Sequence, residues 1–143
     1  MKSLGIASDH AGFDLKEAVK KRLATQGYQL TDFGCFDSQS VDYPDVAHPL
    51  SLAVEQHKVD LGIALCGSGN GVNMTLNKHQ GIRSALCWTP QIASLARQHN
   101  NANICALPAR FIDMETAFSV IDAFLSASFE GGRHQKRVDK IPC

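Results

Sequence analysis

Nowhere in the sequence do apolar residues run on for the ~20 positions that a bilayer-spanning helix requires, so no transmembrane segment is expected. Met1 to Ala7 is too short for the apolar region of a secretory leader and is followed by Asp9-His10, which points to a cytoplasmic chain. An excess of charge of one sign is also missing: 14 Lys and Arg offset 14 Asp and Glu, for a net charge of zero. A chain whose main partner is DNA or RNA carries a basic surplus, so no nucleic-acid partner is expected. The five cysteines, Cys35, Cys66, Cys87, Cys105 and Cys143, contain no Cys-x-x-Cys pair. Neither a disulfide framework nor a zinc site is expected from them. The six histidines form no HExxH motif and no tight His/Cys cluster, so no metal is expected. Repeats, linkers and low-complexity segments are absent too, and 143 residues with 44% hydrophobic content suit one domain spanning 1–143.

What is present is alternation. Residues 4–8 read as a strand, followed by the polar turn Asp9-His10-Ala11-Gly12. Leu15, Ala18, Val19 and Leu23 then recur at helical spacing, with Lys16, Lys20, Lys21 and Arg22 on other faces, and Gly27 ends that helix. Residues 28–33 are a second strand and 35–45 a loop containing Asp42-Tyr43-Pro44. Val46, Leu50, Ala53 and Val54 form the next helical stripe, with Pro49 expected in its first turn. Strands at 61–65, 82–87 and 103–107 follow, separated by helical stretches, the second opening at Thr89-Pro90 and carrying Ile92, Leu95, Ala96 and His99 on one face. Asp113 caps a last helix with Ala117, Phe118, Ile121 and Leu125, and 130–143 is a polar, basic tail. Strand–helix alternation throughout predicts a doubly wound α/β domain of Rossmann or flavodoxin-like type: a five-stranded parallel sheet with helices on both faces. Ligands of such sheets bind beyond the carboxyl ends of the strands, where the strand order reverses. With the first and third strands adjacent, Asp9, His10 and Cys66 share one crevice.

The stretch Cys66-Gly67-Ser68-Gly69-Asn70-Gly71 is the strongest chemical signal. It lacks the spacing of a dinucleotide fingerprint and the Gly-Lys-Ser/Thr of a P-loop. A thiol at the end of a strand, followed by glycines that turn N–H groups toward a ligand, suits an anion or an oxyanion. A small core cysteine before a plain turn is the simpler alternative. Asp9 equally suits a helix N-cap, His10 a turn and His99 a core-edge site. Arg133 and Arg137, four apart on one helical face, suit either water or a phosphate.

Several segments together resemble the type B ribose-5-phosphate isomerases, relatives of the galactose-6-phosphate isomerase subunits. They are Ser8-Asp9-His10-Ala11-Gly12, Asp42-Tyr43-Pro44, residues 66–71, Asn77-Lys78, Gly81-Ile82-Arg83, Arg97-Gln98-His99-Asn100, Ala109-Arg110 and residues 131–137. The resemblance runs almost end to end. It implies interconversion of ribose 5-phosphate and ribulose 5-phosphate, within the non-oxidative pentose phosphate pathway, through an enediolate and without metal or cofactor. Carried over by residue, it makes Cys66 the base that moves a proton between C2 and C1, and His99 an aid to opening the furanose ring. Asp9 holds the sugar oxygens, while the amides of Gly67, Ser68, Gly69, Asn70 and Gly71 stabilise the enediolate. His10, Arg110, Arg133 and Arg137 surround the phosphate, and Tyr43 and Asn100 line the site. Ser68 stands where the family often has Thr; its hydroxyl still permits a proton relay between O1 and O2. A second branch of the family has Ser in place of the cysteine and a nearby Glu as base. Cys66 puts this chain with the thiol branch.

Three other readings compete: isomerisation of a six-carbon sugar phosphate such as allose or galactose 6-phosphate; a non-catalytic flavodoxin-like domain binding phosphate, nucleotide or flavin; and a redox protein pairing Cys66 with Cys87 or Cys105. Topology adds a further expectation. His99 and Asn100 end a helix that runs back from the strand ends, about ten residues or roughly 15 Å long. His99 therefore lies near the rim opposite Cys66. If both act on one sugar, the chain is a homodimer with shared sites, or a dimer of such dimers.

Overall fold

The computed structural model describes all residues, 1–143. Strand and helix alternate as the periodicities require: β1 (Ser3–Ser8), α1 (Phe13–Thr25), β2 (Gln29–Asp32), α2 (Tyr43–Glu55), β3 (Leu61–Cys66), α3 (Asn70–Leu76), β4 (Ser84–Leu86), α4 (Pro90–Asn100), β5 (Ile104–Pro108), α5 (Met114–Ser126) and α6 (Arg133–Val138). The five strands form one parallel sheet in the order β2-β1-β3-β5-β4. β1 and β3 are adjacent, with Ile6 opposite Ile63, and β5 lies between β3 and β4.

Successive side chains of a strand point to opposite faces, so a strand covered on both sides must be apolar throughout. All six residues of β3 and all five of β5 are accordingly buried. Leu65, Cys105 and Leu107 face a layer formed by Val19 and Leu23 of α1, Ala93 of α4 and Phe124 of α5. Ala64, Cys66, Ile104 and Ala106 face the other layer, with Val46 and Leu50 of α2 and Val72 and Leu76 of α3.

Three local expectations are corrected. α2 begins at Tyr43, so Asp42-Tyr43-Pro44 opens a helix rather than sitting in a loop; Pro44 takes the first turn and Pro49 lies inside the helix. Pro49 is on the solvent side, where water can solvate the carbonyl it leaves without a donor. The 130–143 tail is not simply solvated. Gly131 and Gly132, both at positive φ, turn the chain into α6, whose His134 and Val138 are buried. Lys16, placed with the surface-facing lysines, is fully buried.

The Lys16 ammonium contacts both Asp32 oxygens, at 2.7 and 2.8 Å, and the Cys35 carbonyl at 2.5 Å; Lys20 adds a 2.8 Å contact to Asp32. Burial pushes the Asp32 carboxyl up, but hydrogen bonds from Lys16, Lys20 and the Gly34 amide outweigh it and hold the group below the usual aspartate range. Its stabilising contribution is therefore complete above about pH 4 and is lost as the pH falls through the lowered value. Asp32→Ala strands the buried Lys16 charge and should lower stability by about 3–5 kcal/mol, read from urea unfolding at pH 7. An unchanged midpoint would show that Lys16 finds water instead.

Candidate active site

Cys66 is the last residue of β3, opposite Pro108 of β5, and is only 5% exposed. The backbone beyond it is pinned by the loop after β5. The Ala109 N–H donates to the Cys66 carbonyl and the Arg110 N–H to the Gly67 carbonyl, both at 2.9 Å. The Arg110 side chain lies against Gly67, within 3.4 Å of where a Cβ would stand. Arg110 thus belongs to the same loop cluster as the thiol.

Two glycines of the loop are needed for space. Gly69 has φ +77°, and a Cβ there would fall 2.4 Å from Leu86 Cδ1. At Gly71 a Cβ would fall 2.5 Å from Tyr43 Cζ, so the tyrosine ring sits directly over the loop. α3 starts at Asn70, directly at the loop, and has seven residues. The N–H groups of its first turn have no partner within the helix and are the donors this loop offers. Asn70 N–H donates to Ser68 Oγ at 3.2 Å, which orients the exposed hydroxyl.

Asp9 follows β1 directly and is 8% exposed. Its Oδ1 accepts from the Ala11 and Gly12 amides at 3.0 and 3.3 Å, so the helix-cap reading holds, at the same strand-end rim as Cys66. The His10 Nδ1 accepts from the Val41 N–H at 3.2 Å, which puts the proton of the neutral ring on Nε2. Val41 is carried by the loop whose Cys35 carbonyl Lys16 holds, so the buried ion pair also supports this histidine.

Asp9, His10, Tyr43, residues 66–71 and Arg110 therefore gather at the carboxyl rim of the sheet. His99, Asn100, Arg133 and Arg137 do not join them. α4 returns over 11 residues, about 16 Å, to the opposite rim. From there β5 runs five residues, about 13 Å between its end residues, before reaching Pro108 beside Cys66. At that far rim Glu130 N–H donates to the Gln98 carbonyl at 3.0 Å and brings α6 against α4. Arg133 and Arg137 are exposed on one face of α6. The four concavities of the single chain, 200 to 390 Å³, are lined by other residues, apart from Asn100 in one of them.

The sequence did not signal one grouping at the far rim. His99 and His134 stack with ring centroids 4.2 Å apart and planes 12° from parallel, and Glu130 Oε1 lies 3.8 and 3.7 Å from their Nε2 atoms. The four-residue spacing of Glu130 and His134 was its only trace in the sequence. Three metal-ligating groups here lie within 4.8 Å of one another. Near-parallel rings cannot both aim an in-plane lone pair at one ion, and a tetrahedral zinc needs donor atoms about 3.3 Å apart. The cluster is poorly shaped for a metal.

The redox reading loses its partner as well. Cys66 points to the α2–α3 side of the sheet, Cys87 and Cys105 to the opposite side. A hydrogen bond from Cys87 and burial push the Cys105 thiol well up.

The family described as Ribose/Galactose Isomerase matches residues 4–141. The chain is 42% identical over 141 residues to ribose-5-phosphate isomerase B of Escherichia coli, covering 99% of this chain and 95% of that protein. A ribose 5-phosphate isomerase from Thermotoga maritima superimposes with a TM-score of 0.97 at 48% identity, covering 99% and 97% of the two chains. The ribose-5-phosphate isomerase B of Mycoplasma genitalium, solved with bound ribulose-5-phosphate, superimposes with a TM-score of 0.93 at 42% identity, over 97% and 93%. With a matched span of nearly its whole length and a thiol-bearing glycine loop at the switch point of its sheet, the chain belongs to the ribose/galactose isomerase family.

Proposed function

We propose that the protein interconverts ribose 5-phosphate and ribulose 5-phosphate in the cytoplasm, as a homodimer whose two sites each draw on both chains. One observation carries the reading: the Cys66 loop, ringed by Asp9, His10, Tyr43 and Arg110, sits in a chain that superimposes on a relative holding ribulose-5-phosphate.

The furanose opens first. His99 of one chain gives a proton to O4, the C1–O4 bond breaks, and C1=O1 forms as the O1 proton passes to Asp9 of the other. Cys66 thiolate then takes the C2 proton and the electron pair forms the C1=C2 bond. Charge grows on O1 opposite the loop amides, each such donor being worth roughly 3 kcal/mol of barrier. Ser68 moves a proton from O2 to O1, and Cys66 returns its proton to C1, leaving the ketose. His10 Nε2–H, Arg110 and the Arg133–Arg137 face hold the phosphate.

The test is ribose 5-phosphate with EDTA present: ketopentose phosphate should form. Turnover of allose 6-phosphate with none of ribose 5-phosphate would move the assignment to six-carbon substrates. Arg137→Ala should raise KM for ribose 5-phosphate about 10- to 100-fold, the loss of one charge-assisted contact of about 1.5–3 kcal/mol, with the fold intact. An unchanged KM would return α6 to the role of a solvated surface helix.

A further inference from the structure

We infer that His134 is a positioning residue for His99: its ring is the fixed, flat partner that holds the His99 imidazole at the angle ring opening requires. The inference rests on the isomerase reading above.

His99 ends α4, and its side chain is 36% exposed. A terminal residue with that exposure has nothing in its own helix to fix its ring. His134 supplies the constraint from α6. Its side chain is only 9% exposed, and its neighbour on the same face, Val138, is buried too. α6 is itself held to α4 through the Glu130 N–H and the Gln98 carbonyl. The stack at 4.2 Å and 12° sets the His99 plane, while the side chain stays 36% exposed.

Two cationic rings stacked this closely would repel, so the pair tolerates one proton. Desolvation, then the nearby His99 and Arg133, and lastly Arg137 push His134 below the ordinary histidine range, against the pull of Glu130. Glu130 Oε1 lies within 3.8 Å of both Nε2 atoms, at the edge of the stack. A ring held rigidly in place matters because misplacing a reacting group by about 1 Å costs on the order of 10²-fold.

Two aldose phosphates of equal length separate this role from general damage. Ribose 5-phosphate is a closed furanose that must be opened. Its 4-deoxy analogue has no O4 hydroxyl to close a five-membered ring, and its O5 carries the phosphate, so it is always open. His134→Ala should lower kcat/KM on ribose 5-phosphate at least about tenfold and leave the 4-deoxy analogue within about twofold of wild type. His99→Asn should show the same selectivity. His134→Phe, flat and uncharged, should restore ribose 5-phosphate turnover to within about threefold of wild type. Equal losses on both substrates, no loss on either, or a Phe variant as poor as Ala would overturn the inference. So would a wild-type enzyme inert toward the analogue but active on ribose 5-phosphate, because the O4 hydroxyl would then serve more than ring closure. Wild-type protein inert toward both substrates would instead sink the isomerase reading itself.

Discussion

Cys66→Ala is expected to fold, to bind ribose 5-phosphate nearly as well as wild type, and to lose about 10²- to 10⁴-fold in kcat, the range that a positioned base contributes. The fold should survive because the side chain lies at the end of β3, beside small neighbours such as Ala64 and Ala106 on the same face. Trading a thiol for a methyl there removes little buried volume, and the backbone bonds from Ala109 and Arg110 do not involve the side chain. Binding should survive because the proposed phosphate and sugar contacts come from other residues. A loss in kcat with KM little changed marks an interaction made in the transition state alone. If the purified variant keeps more than about a tenth of wild-type turnover, Cys66 is not the base.

Much of the fold was legible for one physical reason: central parallel strands, buried on both faces, must be apolar, and the helices between them must not be. β3 and β5 stand out as apolar runs, and α1, α4 and α5 as periodic stripes. The adjacency of β1 and β3 followed from the commonest small topology. The placement of β5 between β3 and β4 did not, since nothing in the strand sequences distinguishes one buried apolar neighbour from another.

The residues misjudged are those whose environment is made by a distant segment. Lys16 has the sequence context of a surface lysine, and only the loop after β2 buries it against Asp32. Pro49 looks like a first-turn residue until α2 is seen to begin six residues earlier. His134 sits in a run of polar residues, yet the Gly131-Gly132 turn lays it on His99. In the candidate site, the glycine loop and Asp9 were readable as residue types, and Arg110 only through the family resemblance. That Arg110 lies at the rim of Cys66, while α6 with Arg133 and Arg137 packs at the rim of His99, needed the fold.

Whether Cys66 and His99 of different chains serve one sugar is answered by subunit mixing. In ribose 5-phosphate assays Cys66→Ala and His99→Asn should each be nearly inactive alone. Unfolded together in equal amounts and refolded, they form mixed dimers as about half the population. In a mixed dimer one site combines both lesions, while the other combines the intact Cys66 of one chain with the intact His99 of its partner. Activity should therefore return to about a quarter of wild type. No recovery, with mixed dimers shown to be present, would mean that both residues serve a single site from one chain, against the 13 to 16 Å of strand and helix that separate them here.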